Sequence, residues 1–285
     1  MLLKQRIEEE ALNAWPALQQ ILFDGWILRF SEGYTKRSNS VNPIFASSMD
    51  IDEKIDTCEK LYAERGLPTI FRLTSFSSPA GLGDALEARN YQKVAPTSVL
   101  HLNLNSPSPP AELRHEQLDD WLDIFCRFSQ SPLEKRQAHK KILQAIPGKR
   151  FLASLVDAGQ AVACGLGVLE NGYLGLFELV TDPQRRKEGH GTRLLSGLLR
   201  WAQEEGGSRA YLQVVSSNAP ALRLYAKFGF QEAYSYWYRV LVAENADSRT
   251  SNSRFVAAIS KSRVSSRVKH PARLRNRGYD LTFHP

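Results

Sequence analysis

The sequence predicts an α/β fold, a mixed sheet with helices on both faces, and two observations carry this prediction. Three apolar runs with strand character follow one another at 151–156, 161–169 and 173–180. The turn sequence between the last two, Asn171-Gly172, is typical of a tight hairpin, so the runs should form an antiparallel meander. The segment after the meander then changes between helical and strand spacing, which adds further strands and crossover helices to the same sheet.

The remaining elements of this half are predicted from apolar spacing and from the residues that end helices. Leucines 194, 195, 198 and 199 share one face of a helix that stops at Gly206-Gly207. In chain order the pattern predicts helices at 116–128 and 133–145, the meander, a polar loop at 182–191, the leucine-rich helix, a strand at 211–215, a helix at 219–227 and a strand at 234–242.

The first part of the chain repeats features of the second at an offset of 139 to 140 positions. Asn42-Pro43 corresponds to Asp182-Pro183, and the Ser-Ser pair at 77–78 corresponds to the one at 216–217. Such an offset predicts a tandem duplication. The Pro/Ser-rich stretch 105–110 is then a linker between a degenerate copy, 1–104, and a complete copy, 111–242. The first copy lacks the glycine-containing loop of the second.

Charge and composition limit the possible functions. The 285 residues carry a net charge of +7, but nine basic and three acidic residues lie in 243–285, so the body before this tail is nearly neutral. The tail composition is typical of a disordered, solvated extension, with electrostatic binding to nucleic acid or acidic lipid as the less favoured alternative. No apolar run reaches the ~20 residues of a membrane helix, and the N-terminus lacks a signal-peptide core. We therefore expect a cytoplasmic protein without a membrane partner.

The most informative segment is the loop 182–191 with its flanking strand and helix. Backbone N–H groups at a helix start have no internal partners, and Gly189 and Gly191 allow phosphate oxygens to approach the main chain. Arg185, Arg186 and Lys187 add full positive charges. The segment is not a P-loop, because no G-K-[ST] follows, and it fits a dinucleotide fingerprint poorly. It predicts a pyrophosphate site, with a merely solvated loop as the alternative.

Two motifs of this half resemble one enzyme superfamily. The run 186–191, Arg-Lys-Glu-Gly-His-Gly, is similar to the R/Q-x-x-G-x-G/A acetyl-CoA loop of the GNAT (Gcn5-related) N-acetyltransferases. The run 218–230, from Asn218 through Tyr225 to Phe230, is similar to the second signature of that superfamily. The resemblance covers 111–242, and 1–104 only as a degenerate copy. It implies direct transfer of an acetyl group from acetyl-CoA to an amine, without a covalent enzyme intermediate.

The resemblance also implies roles for individual residues. Main-chain groups of Leu179 and Val180 would pair with the pantetheine arm, Asn218 would contact the cofactor, and Tyr225 would protonate the departing thiolate. The residues implied in the pyrophosphate site are Arg185, Arg186, Lys187, Glu188, Gly189, His190, Gly191 and Thr192.

The general base is not fixed by the motifs. Related enzymes that acetylate peptide α-amines often carry Glu where this chain has Gln213, and an amide cannot accept a proton at neutral pH. Glu178 is the remaining nearby carboxylate; an ordered water is one alternative, and a purely structural role for Glu178 is another. We expect His190 to face solvent, Cys164 to be a core residue, and the dispersed histidines to form no metal site.

The acceptor is open at this stage: a peptide α-amine, a small amine, an amino acid and an antibiotic all fit. Tyr34, Arg37 and Asn39 are candidates for an acceptor pocket between the two copies, with simple packing of a degenerate copy as the slightly favoured explanation. A non-catalytic acetyl-CoA-binding sensor or scaffold is the rival reading within the same fold.

Overall fold

The computed structural model describes residues 2–241 of the chain, and the predicted tail at 243–285 lies outside the described residues. No helix within the described part is long and apolar enough to cross a membrane. The helices are α1 (Leu3–Ala14), α2 (Ile51–Ala63), α3 (Leu82–Ala88), α4 (Leu118–Ser129), α5 (Arg136–Gln144), α6 (His190–Glu204) and α7 (Ala219–Lys227), with short 3-10 turns at Lys36–Ser38, Leu133–Lys135 and Pro183–Arg185.

The strands form a mixed sheet of eleven members. They are β1 (Gln19–Phe23), β2 (Trp26–Phe30), β3 (Val41–Pro43), β4 (Ile70–Thr74), β5 (Tyr91–Asn103), β6 (Arg114–His115), β7 (Lys149–Asp157), β8 (Gln160–Glu170), β9 (Tyr173–Thr181), β10 (Arg209–Val215) and β11 (Gln231–Leu241). Their order across the sheet is β1-β2-β3-β4-β11-β5-β10-β9-β8-β7-β6. The predicted α/β class and the mixed sheet are confirmed.

The meander and its turns agree with the sequence prediction. β7, β8 and β9 pair antiparallel in succession. Asn171 and Gly172 both have positive φ, 50° and 78°, as a type I′ hairpin turn requires. Ala158 and Gly159 form the same kind of turn, with φ of 50° and 80°.

The last strands of the two halves are exchanged in the middle of the sheet. β5 pairs antiparallel with β10, whereas β11 pairs antiparallel with both β4 and β5. Each half therefore receives a strand from the other, and residues 2–241 form one unit on one sheet. The connections match as well: α2 joins the parallel strands β3 and β4, and α6 joins the parallel strands β9 and β10. The duplication and its boundaries nevertheless stay a prediction.

A gap opens between β9 and β10 and positions the site described below. Their parallel ladder runs from Tyr173–Arg209 to Leu176–Leu212 and ends there, although both strands continue. Beyond this point the edge of β9 that faces β10 has no strand partner within residues 2–241.

Two apolar layers enclose this part of the sheet. On one face α6 packs its leucines against the meander, with Leu194, Leu195, Leu198 and Leu199 all buried, as the spacing predicts. On the other face α1, α4 and α5 supply a second cluster that includes Trp15, Trp121, Phe125 and Ile142. At about 1.5–3 kcal/mol for each large side chain removed from water, such layers stabilise the gap region from both sides.

Candidate active site

The loop 182–191, which we call the open loop, connects β9 to the start of α6. Gly189 is the N-cap of α6 in a left-handed conformation (φ 84°), and no side chain caps the helix. The first bond of the helix runs from the Arg193 N–H to the Gly189 carbonyl at 3.1 Å. The N–H groups of Gly191 and Thr192 therefore precede the helical ladder and point out of its start.

The positive charges of the open loop divide into two kinds. Arg185 is paired with Asp157 at 2.8 Å and with Glu188 at 2.7 Å, so its charge is largely compensated. Arg186 and Lys187 are exposed and have no ion-pair partner among residues 2–241. Arg193, which the sequence analysis did not single out, is also exposed in the first turn of α6. Arg185 therefore orders the loop, and the other three leave their charges available.

The expectation that His190 faces solvent is wrong. The side chain is only 4% exposed, and its Nε2 lies 3.2 Å from Glu188 Oε2. The reason is helical spacing: His190 begins α6 four residues before the buried Leu194 and so shares its inward face. Cys164, by contrast, is buried in the core as expected.

Leu179 and Val180 lie where β9 leaves β10. Val180 pairs with Cys164 on the β8 side, while the opposite edge faces the gap. Asn218 lies across this gap as the N-cap of α7, and its Oδ1 accepts a hydrogen bond from the Ala221 N–H at 3.2 Å. The amide nitrogen of Asn218 takes no part in this capping bond.

Glu178 occupies a β-bulge at the point where the gap begins. The β8–β9 register shifts between the Cys164 and Leu166 pairs, and Glu178 has a positive φ of 52°. Such bulges re-aim a side chain and are frequent beside active sites. The carboxylate is 14% exposed, and its Oε2 lies 2.8 Å from Nε2 of His139 on α5.

An aromatic box surrounds this carboxylate–imidazole pair. His139 is 2% exposed and stacks on Tyr34 at a centroid distance of 5.0 Å, with Trp15 at 5.8 Å and Phe125 at 5.2 Å. Burial, assisted by the charge of Glu178, raises the pKa of Tyr34. The sequence analysis missed His139 and Trp15, because a lone histidine on the buried face of a helix is usually a core residue.

Tyr225 belongs to the opposite face of the sheet. It is 9% exposed and packs edge-on against Phe230 at 5.9 Å in the cluster beneath α6, whereas Glu178 faces α5. Burial raises the pKa of Tyr225 to about 12, so the phenol keeps its proton at neutral pH. The structure therefore brings Glu178 together with His139, but not with Tyr225.

The three residues predicted for an acceptor pocket have different roles. Tyr34 packs on His139, as described above, and the guanidinium of Arg37 lies over the rings of Trp15 (5.7 Å) and Phe177 (5.5 Å). The side chain of Asn39 is used entirely within its own loop: Oδ1 accepts from the N–H groups of residues 31 and 33, and Nδ2 donates to the carbonyls of residues 34 and 35. Asn39 thus holds the loop that carries the other two.

Comparisons with known proteins agree with this architecture. A family model described as Probable histone acetyltransferase Rv0428c C-terminal matches residues 5–239. The chain belongs to this family of GNAT N-acetyltransferases. It is 30% identical over 247 residues to the "Uncharacterized N-acetyltransferase YobR" of Bacillus subtilis, a match that covers 83% of this chain and 98% of that protein.

Solved structures share the GNAT fold at low sequence identity. A GCN5-related N-acetyltransferase from Kribbella flavida superposes with a TM-score of 0.66 at 16% identity, covering 87% of this chain and 100% of that one. A tandem GNAT protein from the clavulanic acid biosynthesis pathway superposes with a TM-score of 0.50 at 13% identity, over 66% of this chain and 68% of that one. The chain is an N-acetyltransferase of the GNAT type.

Proposed function

We propose that residues 111–242 transfer an acetyl group from acetyl-CoA directly to a primary amine. The observation that carries this proposal is the gap between β9 and β10, which joins an uncapped helix start, an unpaired strand edge and a partly buried carboxylate. Acetyl-CoA supplies the acetyl group as a thioester. The remaining chemistry is the work of the chain's own residues.

The open loop would hold the pyrophosphate. The N–H groups of Gly191 and Thr192 have no helical acceptor, and the helix dipole adds partial positive charge at the same point. Arg186 and Lys187 would supply full charges without ion-pair partners among the described residues, whereas Glu188 is engaged by Arg185 and by the buried His190. Main-chain groups of Leu179 and Val180 would pair with the amide-bearing arm along the free strand edge.

Glu178 and Tyr225 would move the protons. As the bond from the amine nitrogen to the acetyl carbon forms and the carbon–sulfur bond breaks, the nitrogen proton passes to the Glu178 carboxylate, directly or through a water. The thiolate would take a proton from Tyr225 on the α6 side of the sheet, so the thioester would have to lie in the gap between this phenol and Glu178 on the α5 side. His139 fixes the orientation of Glu178 through the 2.8 Å contact.

We also propose the tandem arrangement, with residues 1–104 as a GNAT-like half that binds no cofactor. It is supported by the matching α2 and α6 crossovers, by the exchanged strands, and by the fold shared with a tandem GNAT protein. Residues 1–104 contribute Trp15, Tyr34 and Arg37 to the surroundings of Glu178. This half would therefore shape the acceptor side of the site.

Calorimetric titration of acetyl-CoA tests the binding part of the proposal. We expect micromolar affinity, about −8 kcal/mol, for the unmodified protein, and at least a 30-fold loss for Arg186→Glu. Lys60→Glu changes the net charge equally on the exposed surface of α2 and should bind normally. Equal affinities for both variants would argue against a pyrophosphate site in the open loop.

Glu178→Gln tests the catalytic part and separates an enzyme from an acetyl-CoA sensor. We expect kcat to fall by roughly 10²- to 10⁴-fold at unchanged acetyl-CoA affinity, because the amide cannot accept a proton. Turnover that survives the change would assign proton removal to water. Tight binding without transfer to any amine would favour the sensor.

A further inference from the structure

Two side chains at the start of the gap, one lying over Phe177 and one directly after Leu212, each carry a buried hydrogen-bond donor without a partner among residues 2–241. One is Nε of Arg37, and the other is the side-chain amide nitrogen of Gln213 on β10. The oxygen of the Gln213 amide is already taken, since it accepts from the Tyr236 hydroxyl at 2.9 Å. A buried donor without an acceptor destabilises the unbound protein, which points to an acceptor-rich group that arrives with a ligand.

The charge of Arg37 is not compensated within the described residues. The nearby carboxylates are engaged elsewhere, Glu8 with Arg72 and Glu178 with His139. The Arg37 guanidinium lies over two aromatic rings, 5.5 Å from the ring centre of Phe177 and 5.7 Å from that of Trp15. Neither ring carries a charge, and Gln213 is neutral as well. Burial raises the pKa of Tyr236, but the charges of Arg37 and Arg72, together with hydrogen bonds to Tyr238 and Thr97, lower it overall. The charge of Arg37 therefore acts on the tyrosine that is hydrogen-bonded to Gln213.

The position of Arg37 is fixed before any ligand binds. Its carbonyl accepts a hydrogen bond from the buried Arg29 at 3.0 Å, and the Asn39 side chain holds the same loop with five hydrogen bonds. A site held in this way loses little entropy on binding.

Arg37 and the Glu178–His139 pair contact one aromatic cluster. The Arg37 guanidinium and His139 each lie against Trp15, and Tyr34 stacks on His139. Burial and Glu178 raise the pKa of Tyr34, and the charge of Arg37 lowers it in part. Arg37 contacts Phe177, and Phe177 directly precedes Glu178 in β9. A group bound at Arg37 would therefore lie in the same part of the molecule as an amine presented to Glu178.

We propose that Arg37 and Gln213 form a carboxylate subsite, so that the acceptor is a small amine bearing a carboxylate close to its nitrogen, such as a free α-amino acid. This inference rests on the proposed function and specifies its substrate class. A guanidinium with an adjacent amide donor matches a carboxylate with two oxygens, and such charge-assisted bonds are the strong ones. A protein N-terminus, whose α-amine has a peptide bond in place of the carboxylate, is disfavoured.

The test compares free L-amino acids with their own carboxamides, with acetyl-CoA as donor and thiol release as readout. The two series share the amine and the side chain and differ in the carboxylate. We expect kcat/KM, corrected for the fraction of neutral amine, to favour the amino acids by at least tenfold. In Arg37→Met this ratio should fall roughly 10- to 100-fold, mainly through KM, because the methionine keeps the apolar contacts but not the charge.

Two further variants complete the experiment. Arg65→Met removes an exposed arginine of the same half and should leave the ratio unchanged. Gln213→Leu should lower it by a smaller factor, and it serves as the readout if Arg37→Met does not fold.

The outcomes separate the two proposals. Equal use of amino acids and carboxamides, an unchanged ratio in both site variants, or no transfer to any amino acid by protein that binds acetyl-CoA would each overturn the carboxylate subsite while acetyl-CoA binding stands. Absence of acetyl-CoA binding in calorimetry would overturn the proposed function and remove the basis of the subsite with it.

Discussion

Two loops occupy matching places in the sheet, and they treat negative charge in opposite ways. The open loop lies between β9 and α6, and the segment 44–50, which we call the closed loop, lies between β3 and α2. In the closed loop the carboxylate of Asp24 accepts hydrogen bonds from the N–H groups of Ser48 (3.0 Å) and Met49 (2.9 Å) and from the Ser47 hydroxyl (3.0 Å). An internal anion thus fills the position that the open loop leaves free.

The other charged side chains at the closed loop, Lys54 and Asp50, also have partners. The buried ammonium of Lys54 lies 3.1 Å from Asp24 Oδ2, and Asp50 caps α2 by accepting from the N–H groups of residues 52 and 53. The Phe45 N–H donates to the Gly25 carbonyl, and a side chain at Gly25 would collide with the Ala46 carbonyl. The comparison teaches that one topology either leaves the start of a helix open, as the proposed phosphate site requires, or fills the matching place with a carboxylate of the chain itself.

The largest expected effect comes from giving the open loop a carboxylate of its own. Asp and Asn both tolerate the left-handed conformation of Gly189, and a Cβ there has nothing within 4 Å. We expect Gly189→Asp to weaken acetyl-CoA binding more than 100-fold, because like charges near a helix start repel by about 4 kcal/mol at 4 Å. Gly189→Asn, equal in shape and capping ability, should lose less than tenfold in a parallel titration.

This pair of variants tests whether negative charge is what distinguishes the closed loop from the open loop. Equal loss in Gly189→Asp and Gly189→Asn would assign the effect to backbone strain or bulk.

A smaller effect is expected at the second glycine of the open loop. Gly191 is helical, and an added Cβ would make only ordinary contacts, 3.6 Å from Leu224 and from Thr181. The fold therefore does not need a glycine there. We expect Gly191→Ala to keep or slightly raise the melting temperature, since alanine is the better helix former, but to weaken acetyl-CoA binding about tenfold by blocking close approach.

Thermal unfolding and titration of the same preparation check this prediction. Unchanged affinity would mean that the ligand does not approach the main chain at Gly191.

Features that depend on neighbouring residues could be predicted from the sequence, whereas the pairing of distant strands could not. The open loop, the tight turn at Asn171-Gly172 and the leucine face of α6 depend on neighbouring residues, and all three were predictable. The exchange of β5 and β11 was not, because both are long strands whose pairing partners lie in the other half. Local pattern does not distinguish between such partners.

The same limit applies to the candidate site. Glu178 was predicted as the remaining carboxylate near the site, on the last strand of the meander, but His139 lies 39 positions earlier, and Trp15 comes from the other half. Neither carries a motif, and their meeting depends on how α1 and α5 pack over the sheet. The role of Asp24 as the internal anion of the closed loop was not predictable from sequence either. It depends on the contact between the turn before β2 and the closed loop.

The smallest expected effect concerns the closed loop and appears in stability alone. The backbone hydrogen bond from Met49, with those from Ser48 and Lys54, holds the pKa of Asp24 below its ordinary value. A folded-state pKa below the unfolded value, about 3.9, contributes stability that is fully present above that pH and declines as the pH falls below it. Asp24→Asn removes this contribution and should lower the melting temperature by a few degrees at pH 7, and by less at pH 3. Acetyl-CoA affinity should not change, because the open loop is intact.

Melting curves at the two pH values, with acetyl-CoA titrations at pH 7, check both parts of this prediction. If Asp24→Asn bound acetyl-CoA more weakly, the two loops would be coupled. The comparison between an independent open site and a closed one would then fail.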